Sequence, residues 1–127
     1  MCAPSFHHRF SGVITSMALA SINKFLLYGF ITLDSPRAYE AANRIVAAAT
    51  ACRFEPTSTQ EDESTLMRLL ELLGNCVRSS VGVLLTDAHV WEAAQCCFRI
   101  ACMDRCSHLL QVRRHTFAAC ASIPVCY

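Results

Sequence analysis

Glycine and proline are scarce in this chain of 127 residues, four of each, and there is a single tryptophan. A β-sandwich or barrel needs many more turn residues than that, so an all-β fold is disfavoured. Charge of one sign is also lacking. Eleven Lys and Arg stand against ten Asp and Glu, a formal net charge of +1. Such a balance gives no electrostatic footprint for nucleic acid or for an anionic membrane surface. No apolar run is long enough for a bilayer span, which takes about 20 residues. The greasiest stretch, Met17 to Leu33, is interrupted by Ser21, Asn23 and Lys24. Near the N-terminus, His7, His8 and Arg9 have no apolar segment behind them, so no secretory signal is expected. What the chain does have is a core. Apolar residues make up 54% and charged residues 17%, enough to fold and too apolar for intrinsic disorder.

Motifs that carry chemistry are missing as well. There is no GxSxG, no P-loop and no GxGxxG, hence no nucleophile elbow or phosphate cradle. Nine cysteines are many for this length, but no CxxC occurs among them, and paired ligand motifs are what zinc sites draw on. Cys102 and Cys106 stand four apart with His108 close behind, and Cys96–Cys97 lie one or two turns earlier. Adjacent residues on a helix point about 100° apart, so Cys96 and Cys97 do not form a ligand pair. The expectation is of reduced, cytosolic thiols buried as small hydrophobes. His7 and His8 fall in a tail, and His89, His108 and His115 read as polar-face residues. Neither a catalytic site, a metal nor a cofactor is expected. A small Cys-rich helical metal- or thiol-binding protein is the alternative from another class, and a generic helical-repeat adaptor is the third.

Apolar periodicity predicts helices throughout. The first is expected from Ser16 to Ile31, with Ala18, Ile22, Phe25, Leu26 and Gly29 on its buried face. Ser35 followed by Pro36 reads as a cap with proline at the first helical position. A second helix then runs to Arg53, burying Ala38, Ala41, Ala42, Ile45, Ala49 and Cys52. Ser58 with Glu61 fits a capping box, and Glu61, Asp62 and Glu63 sit where the helix dipole favours carboxylates. The third helix, to Arg78, carries a stripe of Leu66, Leu69, Leu70, Leu73, Cys76 and Val77, with Arg68, Glu71 and Asn75 facing away. A turn over Ser79 to Leu85 contains Gly82. Thr86 or Asp87 caps a fourth helix to Met103, its buried side read as Val90, Trp91, Ala94, Cys97, Phe98 and Ala101. A fifth is expected over Arg105 to Ala119, with Leu109, Leu110 and Phe117. The fold class is therefore all-α, antiparallel helix pairs stacked as an armadillo- or HEAT-like repeat of about five helices. Residues 1–10 and 121–127 are expected to be tails around one helical domain. Lys24, in the greasiest helix, either snorkels to the surface or meets a carboxylate across an interface.

Several segments in one register resemble the large Golgi-type Arf guanine-nucleotide exchange factors, the GBF, Gea and GNOM group. They are Gly12-Val13-Ile14-Thr15, Ala18 through Leu26, Ile45-Val46, Cys52-Arg53-Phe54-Glu55, Asp62-Glu63, Leu66-Met67, Cys97-Phe98-Arg99-Ile100 and Arg114-His115-Thr116. In that family the region is similar to the latter part of the N-terminal dimerisation and cyclophilin-binding (DCB) domain. The resemblance implies a non-catalytic regulatory module that self-associates as a homodimer and contacts the adjacent regulatory region of its parent. Cyclophilin is a further partner it implies, and so is cytoplasmic residence with peripheral attachment to Golgi membranes. It also implies that Lys24 and Glu63 are partner-binding residues. The family's helices before Gly12 and the continuation past Thr116 have no counterpart here, so a truncated product or partial gene model is expected.

Overall fold

The computed structural model describes residues 10–52, 54–55 and 59–102. Its elements are, in order, β1 (Phe10–Ser11), α1 (Gly12–Leu27), α2 (Ala38–Thr50), β2 (Phe54–Glu55), α3 (Thr59–Arg78), a 3-10 helix (Ser80–Leu84) and α4 (Asp87–Ala101). Among the described residues the fold is all-α apart from one two-residue parallel ladder, Phe10 with Phe54 and Ser11 with Glu55. The expected fifth helix, the Ser58 cap and the 121–127 tail lie outside the described residues.

Helix α1 begins at Gly12, a turn before the expected Ser16, and stops at Leu27. Gly29, placed on its buried face by periodicity, instead ends it. This glycine has φ 72°, a left-handed conformation that costs glycine nothing. Its N–H donates to the Leu26 carbonyl at 3.3 Å, and Phe30 N–H donates to Phe25 O at 3.0 Å. That pair of bonds is a Schellman motif, completed by the apolar contact that commonly goes with it. Here the contact is edge-to-face packing of Phe25 on Phe30, with ring centroids 5.9 Å apart.

Ser35 and Pro36 do not cap α2. The Ser35 hydroxyl oxygen accepts from Thr32 N–H at 3.0 Å, and Ala38 N–H donates to Ser35 O at 3.1 Å. The turn 35–38 thus carries Pro36 at its second position and Arg37, at φ 60°, at its third. A positive φ there is what a type II turn demands. Helix α2 starts only after it and buries Ala38, Ala42, Asn43, Val46 and Ala49. Three of these match the expected face, while Ala41, Ile45 and Cys52 are half-buried.

Helix α3 is the axis of the core. Leu73 is wholly buried, with Leu69, Leu70 and Cys76 beside it, as its stripe predicts; Leu72, which the stripe leaves out, is wholly buried too, while Leu66 and Val77 are half-buried. Thr65 joins them: its hydroxyl donates both to Gly12 O at 3.2 Å and to Glu61 O at 3.0 Å. Eleven residues along α1, near its other end, Asn75 Nδ2 donates to Asn23 Oδ1 at 2.8 Å. Start meets start and end meets end, so α1 and α3 run parallel. On the other layer, Asn43 of α2 reaches the beginning of α4. Its amide donates to Leu84 O at 2.9 Å and its oxygen accepts from Thr86 N–H at 3.0 Å. The main packing is therefore α1 on α3 and α2 on α4, each helix against the one two places along. Such stacking of successive helix pairs is repeat-like.

Helix α4 corrects the sequence reading most. Thr86 does cap it, accepting from His89 N–H at 3.3 Å. Its packed face, however, is Ala93, Cys96, Cys97 and Ile100. Trp91 and Phe98 are 64% and 71% exposed, and Val90 is exposed as well. The facing surface of α2 is built on alanine, so close approach requires small partners, and the bulky aromatics are turned outward.

Candidate functional site

The cysteines sort by burial. Cys76, Cys96 and Cys97 are buried, Cys52 is half-buried and Cys102 is exposed. Burial pushes the Cys76 thiol up to about 12. Burial, with Cys96 adding to it, does the same for Cys97. Cys52 is raised by burial and then by Cys96, which the α2–α4 packing brings near it. A raised pKa keeps a thiol protonated and therefore a poor nucleophile and a poor metal ligand. Among the described residues no three His, Cys, Asp or Glu side chains converge as a metal site would require. Cys106 and His108 lie outside the described residues. His89 is engaged locally, its Nδ1 lying 2.6 Å from Thr86 Oγ1 at the start of α4. No helix among the described residues is long and apolar enough to cross a membrane.

Lys24 is exposed near the C-terminal end of α1, and Glu63 is half-buried in the second turn of α3. The parallel register separates them. Glu63 precedes Thr65, which meets Gly12, whereas Lys24 follows Asn23, which meets Asn75. At 1.5 Å per residue they stand roughly 20 Å apart along the helix axes. Counting about 100° per residue, each also points well away from the α1–α3 contact. They are not brought together within one chain, so any contact between them joins two molecules.

Sequence periodicity did not reveal the outer face of α1. Gly12, Thr15, Leu19, Asn23 and Leu26 are its buried residues. Opposite them, Ile14, Met17, Ala18, Ser21, Lys24, Phe25 and Tyr28 are all exposed. Both stripes repeat every three to four residues, because apolar side chains occur all around this helix. A hydrophobic count therefore cannot choose between them, and the expected face of Ala18, Ile22, Phe25 and Leu26 mixes the two. The signal that does separate them is polar: Asn23 and Thr15 face inward, and the helix's single charge, Lys24, faces outward.

Comparison with known proteins returns exchange factors. The chain is 35% identical over 105 residues to the Arf guanine-nucleotide exchange factor GNOM of Arabidopsis thaliana, covering 81% of the chain and 7% of GNOM. It is 36% identical over 101 residues to Arf guanine-nucleotide exchange factor 2 of Saccharomyces cerevisiae, covering 80% and 7%. With the Golgi-specific brefeldin A-resistance guanine nucleotide exchange factor 1 homolog of Caenorhabditis elegans it shares 37% over 102 residues, covering 80% and 5%. The chain thus spans well under a tenth of the length of these relatives. No family model matches it, and no solved structure matches it significantly. Over four-fifths of its length, the chain is a homologue of one short segment of the large Golgi-type Arf guanine-nucleotide exchange factors.

Proposed function

We propose that the chain is a non-catalytic regulatory segment of an Arf guanine-nucleotide exchange factor, equivalent to the latter part of the DCB domain, and that it acts by self-association. The observation that carries this reading is the breadth of the similarity on one side and its narrowness on the other. It runs through 81% of this chain but only 7% of GNOM, so what is shared is one small unit of a large enzyme. Supporting it is an α1 whose outer face is rich in exposed apolar side chains, the kind of surface that marks contact with a partner. The adjacent regulatory region of the parent and a cyclophilin are further partners on this reading. Its setting is the cytoplasmic side of Golgi membranes, in vesicle transport. Lys24 and Glu63 are its contact residues.

The test is the molar mass of the purified chain by light scattering across a concentration series. A discrete dimer is expected, and a monomer at every concentration overturns self-association. Lys24→Glu and Glu63→Lys should each weaken the dimer, and the double exchange should restore part of it. If neither single reversal changes the mass distribution, these two residues are not contacts.

A further inference from the structure

We infer that Cys52 and Cys96 are a redox pair, able to close a disulfide that staples the end of α2 to α4. The packing of α2 on α4 brings the two thiols level. Asn43 fixes one end of that packing, donating to Leu84 O at 2.9 Å and accepting from Thr86 N–H at 3.0 Å. Cys52 follows Asn43 by nine residues and Cys96 follows Thr86 by ten. At about 1.5 Å per residue the two therefore stand within roughly 2 Å of one level. Cys96 lies on the packed face of α4 beside Ala93 and Cys97, and Cys52 comes one turn after the buried Ala49 of α2. Small side chains let such helices pack at the near end of about 8–10 Å between axes. With backbones of about 2.3 Å radius, the gap that remains is one that a disulfide, joining Cα atoms about 4.4–6.8 Å apart, can bridge. The sulfurs also sense each other. Cys96 adds to the effect of burial on the Cys52 thiol, whereas Cys76, in α3, is raised by burial alone.

Access assigns the two roles. Cys52 is half-buried and Cys96 is buried, so Cys52 meets the oxidant and Cys96 resolves it. The oxidant is hydrogen peroxide. The Cys52 thiolate attacks one peroxide oxygen and the O–O bond breaks; hydroxide leaves and takes up the proton Cys52 gave up, forming water. Cys52 is now a sulfenic acid. Cys96, losing its own proton, attacks that sulfur; the S–S bond forms, the S–O bond breaks, and the departing hydroxide with that proton makes a second water. Two thiols are oxidised to one disulfide and one peroxide is reduced to two waters. Burial keeps the Cys52 thiol protonated, so closure is slow and responds to sustained peroxide. Once formed, the link fixes α2 on α4 and encloses α3 in a covalent loop.

The experiment treats the full chain with hydrogen peroxide, alkylates it under denaturing conditions and maps the peptides by mass spectrometry. A peptide joining Cys52 to Cys96 within one chain is expected, absent before treatment and reversed by dithiothreitol. The urea midpoint of the treated chain should rise, because a cross-link restricts the unfolded state. In Cys52→Ser, with helical circular dichroism unchanged, peroxide should leave the midpoint where it was. Recovery of both cysteines alkylated after treatment overturns the pair, and so does a link from Cys52 to any other cysteine. A midpoint that rises as much in Cys52→Ser overturns the staple as its cause. None of these readings depends on whether the chain self-associates.

Discussion

At the residue scale, the contacts that fix the fold are single atoms in tight places. Gly82, in the 3-10 helix, has the Val77 and Cys76 carbonyls where a Cβ would go, and its own N–H donates to Ser79 O at 2.9 Å. Backbone atoms cannot swing aside as a side chain can. Gly82→Ala should therefore destabilise the chain by about 1–3 kcal/mol, read as a lower urea midpoint. The buried thiols set a second prediction. Their folded pKa values, about 12 for Cys76 and Cys97, lie above the ordinary 9.0. An unfolded chain then releases these protons first, so the native state loses stability as pH rises from about 9 towards 12. Urea midpoints should be flat on this account below pH 9 and fall above it. Among the described thiols, Cys102 should be alkylated first in the native protein.

At the scale of elements, each helix ends for a local reason, and the reasons differ in how clearly the sequence announces them. Thr86 was legible as a cap, and its oxygen serves the His89 N–H. Thr86→Ala should cost about 1 kcal/mol, measured by chemical unfolding. Ser35–Pro36 carries the same textual signal but serves a turn, because Arg37 adopts φ 60° and helix cannot begin until that residue is passed. Gly29 was misread for the opposite reason: periodicity continues through it, while its positive φ and the Phe25–Phe30 contact stop the helix. Of the four faces, that of α3 was read best, with Arg68 exposed as expected, but Leu72 was left off it, and Asn75, read as facing away, is half-buried and donates to Asn23 of α1. The face of α4 was misread because weight fell on Trp91 and Phe98. The α2 surface it packs on is small and admits only Ala93, Cys96, Cys97 and Ile100 closely.

At the scale of the molecule, α3 touches every other helix and the 3-10 segment, so stability concentrates there. Leu72 is wholly buried in it. Leu72→Ala should cost about 2–5 kcal/mol, more than any single change in α1's outer face, which touches little within one chain. Thermal denaturation of Leu72→Ala beside Met17→Asp checks this directly, with a large fall in midpoint expected only for the first. The same contrast bears on self-association: a core change lowers folding stability, while an outer-face change alters mass at constant stability.

Composition and periodicity determined by themselves that this protein is helical, where its described helices run within a few residues, and that α3 carries a continuous apolar stripe. The ordered set of short matches from Gly12 to Thr116 also placed it among the exchange factors, because residue identity in register is information a sequence holds outright. Only the tertiary structure decided which side of α1 and α4 faces inward, and that stacked helices run parallel at a distance of two. Those choices follow from how closely one helix can approach another, which depends on the size of both surfaces at once. A sequence read one helix at a time describes only one of them.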